Sequence, residues 1–394
     1  MKWSMIQAPS QPVASTCSHW GRSVPQGAGA GHALKRIAPP LRPVLAAGET
    51  IPAAERCGRP AARARSRRIL RAMGESVARR IVVFADPEGG PPPDAETLAP
   101  LADFGAVEVY HEPPATPDAR LEAARGAQVI INAAPLAWGY RMLSQLPELE
   151  MLSLSSVGTD MVNLGAARDL GVTVAHQGGN TAPIVAEHEF ALLLAAAKRL
   201  GVHTAEIRAG RWTRHETVYL GGKRLGVIGT GNTGSRMAEL ARAIGMEVVA
   251  WSFHPSEEKA RALGLRYIEL DELLATSDAV SLHVASSDET RGMIGREQLA
   301  RMKRGAILVN GSRGDVVDTD ALVGALRSGH LGAAALDVFD PEPLPADHPL
   351  RALEQVVLSP HIADNNAEGH AFMLGDAVAN AVAFLQGRPQ NVVT

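Results

Sequence analysis

A glycine-rich turn between two apolar segments is the feature that most constrains the fold of this chain. Leu225–Ile228 is an apolar run typical of a buried strand. Three glycines in G-x-G-x-x-G spacing follow it: Gly229, Gly231 and Gly234. Ser235–Ile244 then has helical composition without proline, and Val248–Trp251 indicates a second strand. The stretch therefore predicts a βαβ unit with its glycines at the first turn.

Each glycine has a physical role if the turn binds a dinucleotide. Gly229 permits the tight turn, Gly231 lets a pyrophosphate approach the backbone, and Gly234 allows close packing of helix on strand. The helix that follows offers free N–H groups and a positive dipole end to the phosphates. Because the glycines lie between a strand and a helix, we predict a dinucleotide site rather than a purely structural turn.

The composition sets outer limits on the kind of protein. The chain has 394 residues, 46% hydrophobic and 21% charged, with a net charge of −3, which predicts a soluble protein of two domains. The small net charge gives no sign of a nucleic-acid partner. The cysteines Cys17 and Cys57 indicate neither a disulfide framework nor a cysteine metal site. Since no apolar run reaches the roughly 18 residues of a membrane span, we expect a cytoplasmic protein without a membrane or metal partner.

The N-terminal segment differs in composition from the rest. Residues 1–72 are rich in proline, alanine, glycine and arginine and lack periodic apolar spacing. We therefore expect residues 1–78 to be a disordered extension that contributes neither to folding nor to catalysis. A transit peptide and a nucleic-acid-binding arm are alternatives, although prolines interrupt any long helix and no aromatic residue lies among the arginines. Met73 precedes the first ordered segment, so the extension is also consistent with an upstream start.

The remaining sequence alternates between strand and helix patterns. From residue 79 to 179, short apolar runs separated by helical segments predict a parallel α/β sheet. A single long helix is expected from Ala182 to about Gly210, connecting this part to a second alternating region. Residues 180–363 predict a doubly wound domain, and residues 364–394 predict one helix that packs back on the first part. The predicted fold class is thus α/β, with two Rossmann-like or flavodoxin-like parallel sheets.

Three polar residues stand at predicted strand ends of the second region. They are Arg313 in VNGSRGDVVD, Glu342 in LDVFDPEPL and His361 in LSPHIA. Open α/β sheets bind ligands at the carboxyl ends of their strands. Taken singly, these residues are typical of a surface ion pair, a solvated loop acid and a helix cap. Together, downstream of a dinucleotide turn, they indicate an active site.

The motifs of this chain resemble those of the D-isomer-specific 2-hydroxyacid dehydrogenases. The resemblance spans about Arg80 to Val393 and includes SSVGTD, GGNTAPIVAEH, VIGTGNTG, DAVSLHVASSDETRGMIG, VNGSRGDVVD, ALDVFDPEPL and SPHIA, in the family's order. It implies an NAD(P)-dependent oxidoreductase that interconverts a D-2-hydroxy acid and a 2-keto acid of the glyoxylate, hydroxypyruvate or phosphoglycerate type. It also implies a discontinuous substrate domain, residues 79–179 plus 364–394, with hinges near Asn180 and Asp364.

The resemblance implies roles that suit the chemistry of each side chain. Arg313 would grip the substrate oxygens with its planar fork. His361 would donate a proton to the carbonyl oxygen as hydride arrives, and Glu342 would bond the far ring nitrogen and favour the protonated imidazole. Val157 and Gly158 match the loop whose backbone amides hold the substrate carboxylate.

The resemblance also implies a set of cofactor contacts beyond the three glycines. Asp337 would bond the nicotinamide carboxamide. The other implied contacts are Asn232, Thr233, Ser252, the backbone at Val284, Gly311, Ser312, His361 and Ala363.

The choice between NAD and NADP depends on the end of the strand after the glycine turn. NAD selection normally uses an acidic residue there, and NADP selection an arginine nearby. Ser252 occupies the position, followed by His254, and a histidine carries charge mainly below about pH 6.5. We therefore expect usable activity with NADH, weak discrimination against NADPH, and a relative gain for NADPH as the pH falls towards 6.

Several features bear on alternatives. Related formate dehydrogenases carry an amide at the acid position, so Glu342 argues against that activity. A dinucleotide-sensing protein of the co-repressor type shares the fold and retains the triad, and it stays open as an alternative. Asp364, Asn365 and Asn366 replace the small residues usual in the family after the His-Ile pair.

The remaining expectations concern other histidines and assembly. His188 and His283 are expected to be structural. The resemblance implies dimerisation through the cofactor domain, and the long helix from Ala182 carries much apolar surface. We therefore expect a homodimer with two-fold symmetry.

Overall fold

The computed structural model describes residues 79–87 and 90–394. The predicted disordered extension, residues 1–78, and its alternatives lie outside the described residues.

The first sheet is parallel and lies in the N-terminal part of the described chain. Its strands are β1 (Arg79–Phe84), β2 (Gly105–Tyr110), β3 (Val129–Asn132), β4 (Met151–Leu154) and β5 (Thr173–Ala175). They are ordered β2-β1-β3-β4-β5. The central strands β3 and β4 are buried along their whole length, as continuous apolar strands covered on both faces should be.

Helices cover this sheet and connect its strands. They are α1 (Ala95–Leu98), α2 (Pro117–Ala124), α3 (Tyr140–Leu143) and α4 (Leu164–Leu170). Local signals fix the ends of α4: the Asn163 side chain accepts from the backbone N–H of Ala166, and Gly171 ends the helix in the left-handed conformation.

The second sheet is also parallel, and it contains the glycine turn. Its strands are β6 (Arg224–Ile228), β7 (Glu247–Trp251), β8 (Arg266–Tyr267), β9 (Ala279–Leu282), β10 (Ile307–Asn310), β11 (Ala333–Leu336) and β12 (Val356–Leu358). They are ordered β12-β11-β10-β9-β6-β7-β8. The order reverses at β6, so the crevice beside the glycine turn is the place where such sheets bind ligands.

Helices accompany the second sheet on both faces. They are α5 (Ala182–Ala197), α6 (Leu200–Arg208), α7 (Asn232–Ala243), α8 (Glu257–Leu263), α9 (Leu270–Thr276), α10 (Arg296–Arg301) and α11 (Thr319–Arg327). Leu192 and Leu193 of α5 pack with Met237 of α7 on one face, while Leu322 and Leu326 of α11 belong to the core on the other.

The prediction of a single long helix from Ala182 is wrong. The helix is interrupted between α5 and α6, where Arg199 adopts a left-handed backbone conformation with φ of 50°. At the break the Val218 N–H donates to the Ala197 carbonyl, and the Lys198 ammonium donates to the Val218 carbonyl at 2.7 Å. A returning loop therefore satisfies the last turn of α5, and helical composition alone did not reveal it.

The last helix, α12 (Ala367–Leu385), packs on the first sheet. Its buried residues Ala377, Val378 and Ala381 share a core with Ile81 and Ile131. The predicted α/β class with two parallel sheets is confirmed. Within the described residues, the structure contains no helix of the length and apolarity needed to cross a membrane.

Candidate active site

The geometry of the glycine turn fits a dinucleotide. An added Cβ at Gly229 would lie 2.6 Å from the His283 carbonyl oxygen, and one at Gly234 would collide with the Gly229 carbonyl. A Cβ at Gly231 would meet no heavy atom within 4 Å. Gly231 is the N-cap of α7 and has no side-chain capping bond, so the helix presents open space and unpaired N–H groups where a pyrophosphate would lie.

His361 and Glu342 form the centre of the site. The Nδ1 atom of His361 lies 2.8 Å from Oε2 of Glu342, while Oε1 of the same carboxylate accepts from the Phe339 N–H. The Glu342 hydrogen bond raises the pKa of His361 above its ordinary value, outweighing burial and the positive charge of nearby Arg313. The imidazole is 46% exposed, so its other nitrogen is accessible to a substrate.

Asp337 holds the backbone on which His361 sits. Its side chain is fully buried, and its two oxygens accept from the Ser359 hydroxyl and from the N–H groups of Ile362 and Ala363. Burial alone would raise the pKa of Asp337, but the hydrogen bonds from His188, Ser359 and the Ile362 amide lower it to about 2. His361 has a left-handed φ of 54°, a costly conformation for a non-glycine residue, and these bonds fix it.

The resemblance implies that Asp337 bonds a nicotinamide carboxamide. Its carboxylate is occupied by donors from the chain itself. The contact with a nicotinamide carboxamide therefore stays a prediction.

Arg313 is held from two sides. Its Nε donates to Asp160 Oδ2 at 2.8 Å, and its Nη1 donates to the Ser312 carbonyl at 2.7 Å. Its Nη2 occupies the space that a side chain at position 158 would need, so Gly158 permits the close approach. Each of these two bonds uses one guanidinium proton. The two Nη2 protons and the second Nη1 proton therefore remain as donors for an oxyanion.

The loop at Val157 and Gly158 is braced by its neighbours. The Ser156 hydroxyl donates to the Gly158 carbonyl at 2.7 Å, and Nδ1 of His176 lies 2.9 Å from the Val157 carbonyl. The Val157 side chain is 50% exposed. The carbonyls of the loop are thus tied back, which is the arrangement needed if its amides face a carboxylate.

The predicted contacts at Gly311 and Ser312 depend on a buried asparagine. Asn310, which is 1% exposed, accepts from the N–H and hydroxyl of Ser312 and donates to the Arg313 carbonyl at 2.8 Å. Asn310 therefore shapes the whole turn from β10 to Arg313. Sequence reasoning missed this role.

The remaining predicted cofactor residues surround the glycine turn. Asn232 and Thr233 begin α7, and the Asn232 amide packs against Gly179 of the predicted hinge. Val284 is nearly buried and borders Gly229. Ser252 follows β7, and its hydroxyl accepts from the His254 N–H at 3.2 Å.

The structure adds two charged residues that the sequence did not assign. Asp160 reaches Arg313 from the loop after β4, and Lys259 reaches the glycine turn from α8, where Nζ lies 2.8 Å from the Thr230 carbonyl. Asp160 lies inside the SSVGTD motif, but nothing in its spacing indicated Arg313 as partner. For Lys259, the available sequence signal was its place in the first turn of α8, close behind β7.

The two other histidines lie in protein contacts, as expected for structural residues. His188 Nε2 contacts Ser359 Oγ at 3.1 Å, and its hydrogen bond with Asp337 raises its pKa. The His283 ring and the Glu189 carboxylate are 1% exposed and approach to 3.0 Å. Within residues 79–87 and 90–394 no group of histidine, cysteine or acidic residues is suited to hold a metal ion.

Comparison with known proteins gives a consistent assignment. Residues 190–363 match the family model described as D-isomer specific 2-hydroxyacid dehydrogenase, NAD binding domain. A glyoxylate reductase of Aeropyrum pernix is 40% identical over 310 residues, which are 76% of this chain and 92% of that protein. A glycerate dehydrogenase of Methylorubrum extorquens is 34% identical over 315 residues, 76% of this chain and 97% of that protein.

A solved structure shows the same architecture. The glyoxylate reductase from Paecilomyes thermophila aligns with a TM-score of 0.73 at 26% identity, covering 80% of this chain and 98% of that one. None of these matches supports the dinucleotide-sensing alternative.

Proposed function

Because the chain belongs to the D-isomer-specific 2-hydroxyacid dehydrogenase family, we propose that it acts on a small 2-keto acid of the glyoxylate or hydroxypyruvate type. The family sets the reaction class: the protein is an NAD(P)-dependent oxidoreductase that interconverts 2-hydroxy and 2-keto acids. The substrate proposal is supported by the relatives, of which one is named glyoxylate reductase and another glycerate dehydrogenase.

His361 is the proposed general acid for reduction. The observation that carries this role is its 2.8 Å bond to Glu342, which leaves Nε2 free and favours the protonated ring. In the direction of reduction, Nε2 donates its proton to the keto oxygen as that oxygen gains negative charge. In oxidation the neutral ring accepts the hydroxyl proton. The nicotinamide ring of the bound cofactor supplies or receives the hydride.

Arg313 and the Val157 loop are the proposed substrate clamp. The free edge of the Arg313 guanidinium is suited to bind the keto oxygen and one carboxylate oxygen together. The backbone amides of Val157 and Gly158 then bind the remaining carboxylate oxygen. This orients the substrate carbon so that His361 lies on one side of the carbonyl.

Two hinges are proposed between the sheets, near Asn180 and Asp364. They divide the chain into residues 79–179 with 364–394 and residues 180–363. The Asn180 amide donates to both oxygens of Asp376 in α12, so the first crossing is tied to the last helix. Gly179, with φ of 95°, supplies backbone freedom beside it.

The proposed homodimer uses the segment around α6. This segment exposes large apolar side chains, namely Leu200, Ile207, Trp212 and Tyr219, of which the last two are 78% and 76% exposed. Such a patch is typical of a protein interface. Light scattering of the wild type should report a dimer, and Trp212→Asp should shift it towards monomer. A monomeric wild type at micromolar concentration would contradict the proposal.

A cytoplasmic location of the protein stays a prediction.

A panel of 2-keto acids tests the proposed function. NADH oxidation is followed with glyoxylate, hydroxypyruvate and phosphohydroxypyruvate. Turnover of the first two is expected. Preference for the phosphorylated acid would overturn the substrate proposal. If the protein binds NADH but reduces none of the panel with either cofactor, the proposed activity is wrong.

A further inference from the structure

A lysine reaches the glycine turn from the helix that follows β7. Nζ of Lys259 lies 2.8 Å from the carbonyl oxygen of Thr230, the second residue of the turn. Local capping directs it there, because the Ser256 hydroxyl caps α8 by accepting from the Lys259 N–H. Lys259 is therefore on the first turn of α8, which follows directly on the chain leaving β7.

This ammonium group lies near the strand end that contacts the adenosine ribose of a dinucleotide in doubly wound folds. β6 pairs with β7 up to Ile228 and Trp251, and the Gly229 N–H donates to the Trp251 carbonyl. Thr230 is therefore beside Ser252 at the carboxyl end of the two strands. In doubly wound folds the residue at the end of this second strand contacts the ribose hydroxyls, and a nearby cation accommodates a 2′-phosphate.

We propose that Lys259 and Ser252 form a binding site for the 2′-phosphate of NADPH. The inference rests on the proposed dehydrogenase function. The ammonium group has three protons and uses one on Thr230, so two remain for phosphate oxygens. The Ser252 hydroxyl oxygen accepts from His254, which leaves the hydroxyl proton as a third donor.

The acidic residues of the same helix do not cancel this charge. Glu257 is 95% exposed, and its carboxylate lies 3.6 Å from Arg261 on the next turn. Glu258 is exposed to solvent. Neither acid forms an ion pair with Lys259, whose ammonium group is bonded to a neutral carbonyl.

A purely structural role for Lys259 makes a different prediction. The Thr230 carbonyl also accepts from the Ser235 hydroxyl at 3.3 Å, and the Thr230 hydroxyl contacts Tyr267 at 2.8 Å. If Lys259 only braced this turn, its loss would weaken every dinucleotide equally. A phosphate site requires loss for the 2′-phosphorylated ligand alone.

Calorimetry on the full chain with AMP and adenosine 2′,5′-bisphosphate separates these roles. The wild type should bind the bisphosphate about 10-fold more tightly than AMP, the scale of one charge-assisted hydrogen bond. Lys259→Met should remove the preference while leaving AMP affinity unchanged, and Lys259→Arg should keep it. Arg261→Met removes a cation from the same helix and should have no effect. Melting temperatures verify that each variant is folded.

The outcomes also distinguish this inference from the proposed function. Equal losses for both nucleotides in Lys259→Met, or a wild type without preference, would overturn the phosphate site even if keto acids are reduced with NADH. A retained bisphosphate preference in a protein that reduces no keto acid would overturn the proposed function alone. The kcat/KM ratio for NADPH over NADH should fall about 10-fold in Lys259→Met, in step with the calorimetry.

Discussion

The two halves of the site use the same kind of contact but are built differently. His361 and Glu342 lie 19 residues apart in the chain, and both belong to the loops of the second sheet. Arg313 and Asp160 lie 153 residues apart, and their ion pair joins a loop of the second sheet to a loop of the first. Both contacts measure 2.8 Å and both are partly exposed.

The difference separates the proposed proton donor from the proposed substrate clamp. The His361 loop is fixed by the buried Asp337 carboxylate within one sheet, so its geometry does not depend on how the two sheets approach each other. The position of Arg313 depends on Asp160 from the other sheet. A change in how the two sheets approach each other should therefore change the binding of the keto acid, while the proposed proton donor keeps its place.

Removing either central side chain should give the largest effect. His361→Asn and Arg313→Ala are each expected to reduce turnover by about 10²–10⁴-fold, the range of general acid catalysis, with NADH affinity nearly unchanged. His361→Asn should act mainly on kcat and Arg313→Ala also on KM, as measured by steady-state kinetics. His111→Asn, at an exposed histidine, is the control. Near-normal reduction of an accepted keto acid by His361→Asn would show that another group donates the proton.

Replacing Glu342 tests the proton-transfer half through pH. Because the Glu342 carboxylate raises the pKa of His361, the ring stays protonated to higher pH. Glu342→Gln lowers that pKa, so the alkaline limb of the kcat/KM profile for reduction should move to lower pH. The loss should be larger at pH 8 than at pH 6. Asp347→Asn, an exposed acid of the same loop, should leave the profile in place. An unshifted profile in Glu342→Gln would contradict the assigned pairing.

Replacing Asp160 tests the half that joins the sheets. Asp160→Ala should raise KM for the keto acid about fivefold, the scale of a partly exposed ion pair, with little change in kcat or in NADH affinity. Asp160→Asn keeps a hydrogen-bond acceptor for Arg313 and should give a smaller change. Asp169→Ala removes an exposed acid of α4 as a control. If KM in Asp160→Ala equals the wild-type value, the ion pair between the sheets does not position the clamp.

These differences also explain what the sequence could predict. The glycine turn and the closeness of Glu342 to His361 were predictable, because parallel strands place their carboxyl ends at one edge of a sheet. The catalytic roles of Arg313, Glu342 and His361 came from the family resemblance and stay predictions. The pairing of Asp160 with Arg313 was not predictable, because it depends on how two sheets pack. The break at Arg199 was missed for a similar reason: the loop residue Val218, which satisfies the end of α5, is distant in sequence.

The last prediction concerns the choice of cofactor and leaves the reduction of the keto acid itself unchanged. Ser252→Asp places a carboxylate against the 2′-phosphate position and should restore a strong NADH preference without changing keto-acid KM. The Lys259 ammonium group, bonded to the Thr230 carbonyl, is the proposed phosphate ligand, whereas His254 is exposed and its backbone N–H donates to Ser252.

Steady-state kinetics of the wild type and of Ser252→Asp with both cofactors measures this preference. A wild type with a thousandfold preference for NADH, or a Ser252→Asp variant with unchanged preference, would show that the selection is made by other residues.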